Sequence, residues 1–337
     1  MRHAAITFAQ QVNQLLSKNP GGTVKHSLAV EKQWDVLFCS DMLNLAEFLG
    51  LVDESIRQLP KVVYFHENQL TYPVQVESER DYQYCMTNIT TAMAADAVWF
   101  NSEFHRDEFL KAIGNFLKRM PDYQPLDVIE QIHNKSSIHP PGIIPIKEKM
   151  KRCDGPIKIL WAARWEHDKN PEDFFAAMKI LKEKGLNFRL NVIGEQFRDQ
   201  PEVFGWAKEY FADRIDCWGY QASRDEYEIA LAESDIVVST ANHEFFGIGM
   251  LEAIAAGCCP ILPERLSYPQ IIQSLANVSR QNEFLYDGTV KGLAAKLAAL
   301  LGGDFSWDRS VLQARLDTYF WPERAVQMDL AIADCSV

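Results

Sequence analysis

Two acids, Glu244 and Glu252, stand eight residues apart in "HEFFGIGMLEAIAAG" (243–257), with Gly247 and Gly249 between them. Glycines at a helix start let an anion approach the first backbone N–H groups, and the helix dipole favours negative charge there. The pattern predicts a helix beginning near Phe245 or Phe246, so Phe246, Gly247 and Ile248 belong to the candidate cradle. At about 1.5 Å of rise per residue, the two carboxylates would lie roughly 9–12 Å apart along the axis. That is the span of a sugar, a diphosphate and a ribose. Carboxylates suit both ends because each accepts two hydroxyl hydrogen bonds at once.

A second stretch, "WAARWEHDKNP", sets Arg164 and Lys169 just past an apolar run. Two cations at a strand end suit a diphosphate leaving group, whose negative charge grows as its bond breaks. Gly194 in "VIGEQF" permits close approach of a ligand, and Gly219 and Tyr220 in "CWGYQ" are candidates to bound a base. Each residue taken singly has a plainer reading. An acid at a helix start complements the dipole, and exposed cations pair with acids on the surface. The coincidence of acids, glycines and cations carries the argument. "GIGMLE" also resembles a dinucleotide fingerprint, but Glu252 stands where a third glycine is wanted, so a nicotinamide enzyme fits less well.

These residues need a scaffold, and the rhythm of the chain supplies one. "WDVLFCS", "KVVYFH" and "AVWFN" read as buried strands, with helices over "ERDYQYCMTNITTAMAADA" and, capped by Ser102, "SEFHRDEFLKAIGNFLKRM". "IKILWAAR", "NFRLNVIG", "IDCWGY", "DIVVST" and "CCPILP" read as five more strands. The helices between them include one with Asn170 as its cap and Pro171 at its first position. Strands alternating with helices imply parallel sheets covered on both faces. The expected fold is α/β, two tandem doubly wound Rossmann-like domains. They cover residues 1–145 and 156–337, around a linker rich in proline and charge (139–156). In such sheets ligands sit beyond the carboxyl ends of the strands, where all four features above fall.

Composition excludes several classes. The net charge is −12, and neither part is basic: residues 1–145 hold 12 basic and 17 acidic side chains, the remainder 22 and 29. A polyanion would therefore need a local patch. The sequence offers Lys147, Lys149, Lys151 and Arg152 in the linker, or Arg106, Lys111, Lys118 and Arg119 on one helix, though either set reads equally as solvated surface. No run is long and apolar enough for a membrane span. Seven scattered cysteines without a CxxC give no disulfide or zinc framework, and a cytoplasmic setting is expected.

Two tandem α/β domains with "EFFGIGMLE" in the second resemble the GT-B glycosyltransferases of the retaining, E-x7-E type. In the first domain, "YFHENQLTYPVQ" (64–75), "FNSEFHRDEF" (100–109) and "PPG" (140–142) resemble the tRNA-queuosine mannosyltransferase family, over nearly the whole chain. The resemblance implies that Arg164 and Lys169 bind the donor diphosphate. It places Glu244 at the donor sugar and Glu252 at the ribose. It implies GDP-mannose as donor, the cyclopentene-diol of queuosine in tRNA for aspartate as acceptor, and no metal or other cofactor. The chain holds no D-x-D triplet.

"HENQLTYP" follows a strand at its carboxyl end and is expected to face an interdomain cleft. His66, Glu67 and Asn68 there, with Asn101 at the next strand end, are the acceptor-side candidates. His66 is the one able to bond the transferred sugar or guide the acceptor hydroxyl; a histidine bonding its own loop is the plainer alternative. His105 is a weaker candidate. The family opens with a strand and a Gly-Gly-Ser-His loop, whereas this sequence begins at the helix "RHAAITFAQQVNQLL". The first domain is therefore expected to lack its first strand, and the chain to have little activity. The residues leave open a glycosyltransferase acting on a lipid, glycan or protein, and an inactive remnant that binds a nucleotide sugar.

Overall fold

The computed structural model describes residues 3–18, 34–74, 80–146, 155–303 and 307–335. The linker cations Lys147, Lys149, Lys151 and Arg152 lie outside them, as does Gln75. The chain forms two compact units, Met1–Pro140 with Ala325–Val337, and Pro141–Arg324. The division at 145 and 156 does not anticipate the return of the C-terminal residues to the first unit.

The first unit holds a parallel sheet in the order β1 (Leu37–Ser40), β2 (Lys61–Phe65), β3 (Ala97–Phe100), β4 (Ser136–Ile138). Val63, Phe65, Val98 and Phe100 point into one core with the helices Tyr82–Ala94 and Glu103–Leu117. Val62, Tyr64 and Trp99 point to the other face. Met328, Ala331 and Ile332 of the C-terminal helix Trp321–Cys335 cover them, which explains the return. Ser102 accepts from the His105 amide at 3.0 Å, as a cap should. Serine-rich β4 and the short helices Leu45–Leu51 and Val128–Asn134 were not expected from the sequence.

The second unit holds a parallel sheet of six strands. They are β5 (Ile157–Ala162), β6 (Phe188–Ile193), β7 (Ile215–Gly219), β8 (Ile236–Val238), β9 (Cys259–Pro263) and β10 (Leu285–Tyr286), in the order β10-β9-β8-β5-β6-β7. The unbroken apolar runs of β5, β6 and β8 reflect burial on both faces. From β5 the chain proceeds outward through β6 and β7. It then crosses back to β8 on the other side, so the direction of winding switches between β5 and β8. Both the two-unit α/β architecture and its doubly wound sheets match the expectation. No described helix is long and apolar enough to cross a membrane.

Candidate active site

The switch between neighbouring strands β5 and β8 opens a crevice at their carboxyl ends, the place where such sheets bind ligands. The loop after β5 delivers Arg164 and Lys169, and the loop after β8 delivers His243 and Glu244. Hydrogen bonds lace the two loops together. The Thr240 hydroxyl donates to the carbonyls of Lys169 (3.0 Å) and Asn170 (2.8 Å), and the Asn242 amide donates to the Asp168 carbonyl (2.7 Å). Asn170 is left-handed (φ 51°) and caps the helix Pro171–Glu183.

Lys169 is the centre of this group. It is 8% exposed; its Nζ donates to the His243 carbonyl at 2.8 Å and lies 3.0 Å from Asp168 Oδ2 and 3.5 Å from Glu244 Oε2. Burial opposes its charge, but Glu244 and Asp168 outweigh burial and hold its pKa above the ordinary lysine value. Burial, then Lys169, push the His243 imidazole down to about 4, so it is neutral near pH 7. Arg164 is more exposed and pairs with Glu166 at 3.1 Å.

The helix expected from Phe245 or Phe246 begins later, over Ile248–Ala255. Gly247 ends the preceding loop with φ 96°, a conformation open to glycine, and a Cβ there would meet Ile271 and Tyr268 at 3.1 and 3.3 Å. Glu244 thus precedes the helix, and the helical-rise estimate of its separation from Glu252 does not apply. Its Oε1 accepts from the amides of Gly247 (3.1 Å) and Phe246 (3.4 Å). Two N–H groups expected to cradle a phosphate are therefore capped by Glu244 itself, while its Oε2 faces Lys169. The Phe246 ring is buried in the core near Tyr319, so only its backbone faces the site. Ile248 is exposed at the helix start.

Glu252 lies one turn into the helix. It is held by Arg224, which donates to Oε1 at 2.8 Å, and by the Tyr227 hydroxyl, which donates to Oε2 at 2.8 Å. These partners fix the carboxylate. They also raise the Tyr227 pKa, after burial, which acts most strongly.

Gly194 ends β6 with φ 152°, and its requirement comes from the protein's own backbone: a Cβ would stand 1.8 Å from the Ala163 carbonyl oxygen. Gly194→Ala is therefore expected to destabilise the chain by about 3–5 kcal/mol. The urea midpoint checks this, and a wild-type midpoint would refute it. Tyr220, 66% exposed, borders a cavity of about 370 Å³ that Gln196, Lys208 and Gly219 also line. That volume is within the range of small-ligand pockets.

In the first unit, Asp41, His66, Asn101 and His139 follow the carboxyl ends of β1 to β4. His66 stacks on Tyr64 at 4.6 Å, and burial holds its pKa below the ordinary histidine value. Asn101 is committed to structure: its Nδ2 donates to the His66 carbonyl (2.9 Å), and its Oδ1 lies 3.0 Å from Nδ1 of buried His105. Asn68 is buried too, and its Oδ1 accepts from the Thr71 amide and hydroxyl at 2.9 and 3.1 Å, shaping the "HENQLTYP" loop. Glu67 accepts from Gln69 at 3.3 Å. Of the acceptor-side candidates, His66 and Glu67 keep accessible side chains.

Asp41 went unremarked in the sequence, although "FCSDML" places it at a strand's carboxyl end. It is 1% exposed, and its Oδ1 accepts from the His66 amide at 3.0 Å. Among the described residues its Oδ2 has no partner. Burial, with Glu67 adding, pushes its carboxyl up to about 7. The native state then keeps a proton that the unfolded chain loses above about pH 4, so stability falls as pH rises from there to about 7. Asp41→Asn, which keeps the shape and the accepting oxygen, is expected to remove that slope. It should be the more stable protein at pH 8 by on the order of 2–4 kcal/mol. Parallel melting curves across that window would contradict this. Asp168, His243, Arg224 and Tyr227 were also missed as site residues. The first two lay inside the quoted motifs, whereas the last two sit on a helix whose partner only the fold reveals.

Comparison with known proteins gives these geometries a context. A family profile described as "tRNA-queuosine alpha-mannosyltransferase N-terminal" matches residues 1–143, and one described as "Glycosyl transferases group 1" matches residues 144–310. The chain is 38% identical over 260 residues to the tRNA-queuosine alpha-mannosyltransferase of Drosophila melanogaster, covering 72% of this chain and 68% of that one. It is 23% identical over 168 residues to the GDP-mannose:cellobiosyl-diphosphopolyprenol alpha-mannosyltransferase of Xanthomonas oryzae pv. oryzae, covering 48% and 43%. Among solved structures it resembles a sucrose-phosphate synthase from Thermosynechococcus elongatus, with TM-score 0.69 and 16% identity over 99% of this chain and 79% of that one. Fold and site together define a glycosyltransferase of the GT-B class. The chain belongs to the tRNA-queuosine alpha-mannosyltransferase family.

Proposed function

We propose that the chain transfers mannose from GDP-mannose to the cyclopentene-diol of queuosine in tRNA for aspartate, with retained configuration and without a metal, in the cytoplasm. The observation that carries the reading is buried Lys169, held charged between Asp168 and Glu244 at the switch point of the second sheet. The names of the Drosophila and Xanthomonas relatives support the acceptor and the donor.

Lys169 and Arg164 take the diphosphate, with the Ile248 helix start adding its dipole. Glu244 takes mannose hydroxyls, and Glu252 the ribose. Tyr220 borders the base. The bond from the mannose anomeric carbon to the phosphate oxygen breaks, and the acceptor oxygen bonds that carbon on the same face. The departing phosphate takes the acceptor's proton. His66 orients a hydroxyl through its neutral ring.

The acidic net charge favours a second reading, in which a lipid, glycan or protein is the acceptor. Incubation with labelled GDP-mannose and tRNA with or without queuosine separates the two. Label is expected on queuosine-containing tRNA alone. No label there, or equal label on both RNAs, would refute the acceptor.

A further inference from the structure

A cavity of about 310 Å³ opens on the first unit, away from the four strand ends described above. Its walls come from the helix Glu103–Leu117 and the residue just beyond it, and from the start of the helix Tyr82–Ala94. They differ from the acidic average of the chain. Arg80, Lys111 and Arg119 line it, together with Asn115 and the rings of Tyr82 and Phe116. The two rings stack at 6.0 Å and 19° between planes. The Arg119 guanidinium lies 5.3 Å over the Tyr82 ring and donates to its hydroxyl at 3.4 Å. Tyr82 is nevertheless 36% exposed. Arg80 donates from one nitrogen to the carbonyls of Gln69 (2.9 Å), Leu70 (3.1 Å) and Tyr72 (3.0 Å). It thus ties the cavity wall to the "HENQLTYP" loop.

Paired aromatic faces beside guanidinium and ammonium groups are the chemistry that binds unstacked nucleotides: base on ring, phosphate on cation. The volume is about that of one nucleotide. One acid opposes this. Glu108 also lines the cavity and holds Lys111 at 3.1 Å, so an incoming phosphate must displace it.

We infer that this cavity binds one single-stranded nucleotide of the RNA acceptor, its base against Tyr82 and Phe116 and its phosphate on Lys111 and Arg119. The inference rests on the RNA reading of the acceptor and adds where the RNA is held. It makes the local basic patch a pocket in which Lys111 and Arg119 of the expected helix face join Arg80 from across the cavity.

The test measures binding of queuosine-containing tRNA to the full chain as salt is varied, with GDP-mannose binding and thermal melting alongside. The double variant Lys111→Ala/Arg119→Ala is expected to bind tRNA about tenfold more weakly, with a salt slope lower by about two. Its donor affinity and melting should be unchanged. Glu108→Gln frees Lys111 and is expected to tighten RNA binding about threefold; a purely structural role for the cluster would not produce opposite signs. Wild-type affinity and slope in the double variant, or weaker binding in Glu108→Gln, would overturn the inference. If the wild-type chain binds no tRNA, the acceptor reading itself falls and the inference with it.

Discussion

Lys169→Met is expected to lower kcat/KM for mannose transfer by about 10²–10³-fold, most of it in kcat. The methionine keeps the apolar stem and removes the ammonium. A buried cation aimed at a leaving diphosphate contributes most in the transition state, where the negative charge on phosphate is greatest. The same change leaves the Asp168 carboxylate, 9% exposed, without the ammonium 3.0 Å away. The empty site should therefore lose stability as well, by about 3–5 kcal/mol. Thermal melting at several pH values separates the two effects. Loss of stability with near-normal turnover would reduce Lys169 to a structural ion.

Glu244→Gln is expected to lower kcat/KM by about 10²-fold while the fold survives. The amide keeps an oxygen that can accept from Gly247 and Phe246, so the loop cap persists. What disappears is the negative charge beside Lys169 and one strong acceptor for sugar hydroxyls. Glu244→Ala would be harder to interpret, because it also strips the cap. Full activity in Glu244→Gln would remove this residue from the donor site.

The second sheet was legible in the sequence because strands buried on both faces are written as unbroken apolar runs, such as "IKILWA" and "FRLNVI". The donor candidates were legible for a different reason. Ligand residues in this fold cluster at strand ends, and those ends were visible. The start of the Ile248 helix was misplaced because "EFFGIG" is apolar and helix-like in pattern, whereas the structure puts Gly247 at φ 96° and turns Glu244 back onto its own amides. β4 (Ser136–Ile138) is too short and polar to carry a periodicity. The C-terminal helix is amphipathic, but nothing local tells it to cover Val62, Tyr64 and Trp99 of a sheet from the other end of the chain. Asn101 and Asn68 show the converse. Both lie where ligand residues belong, yet buried hydrogen bonds commit them to shaping loops.

The central claim is that the crevice between β5 and β8 grips an activated sugar, and a structure of the chain with GDP-mannose bound tests it most directly. The expected result has the diphosphate within hydrogen-bonding distance of Arg164 and Lys169 and the mannose hydroxyls on Glu244. A donor bound with its diphosphate away from these two strand ends would contradict the account.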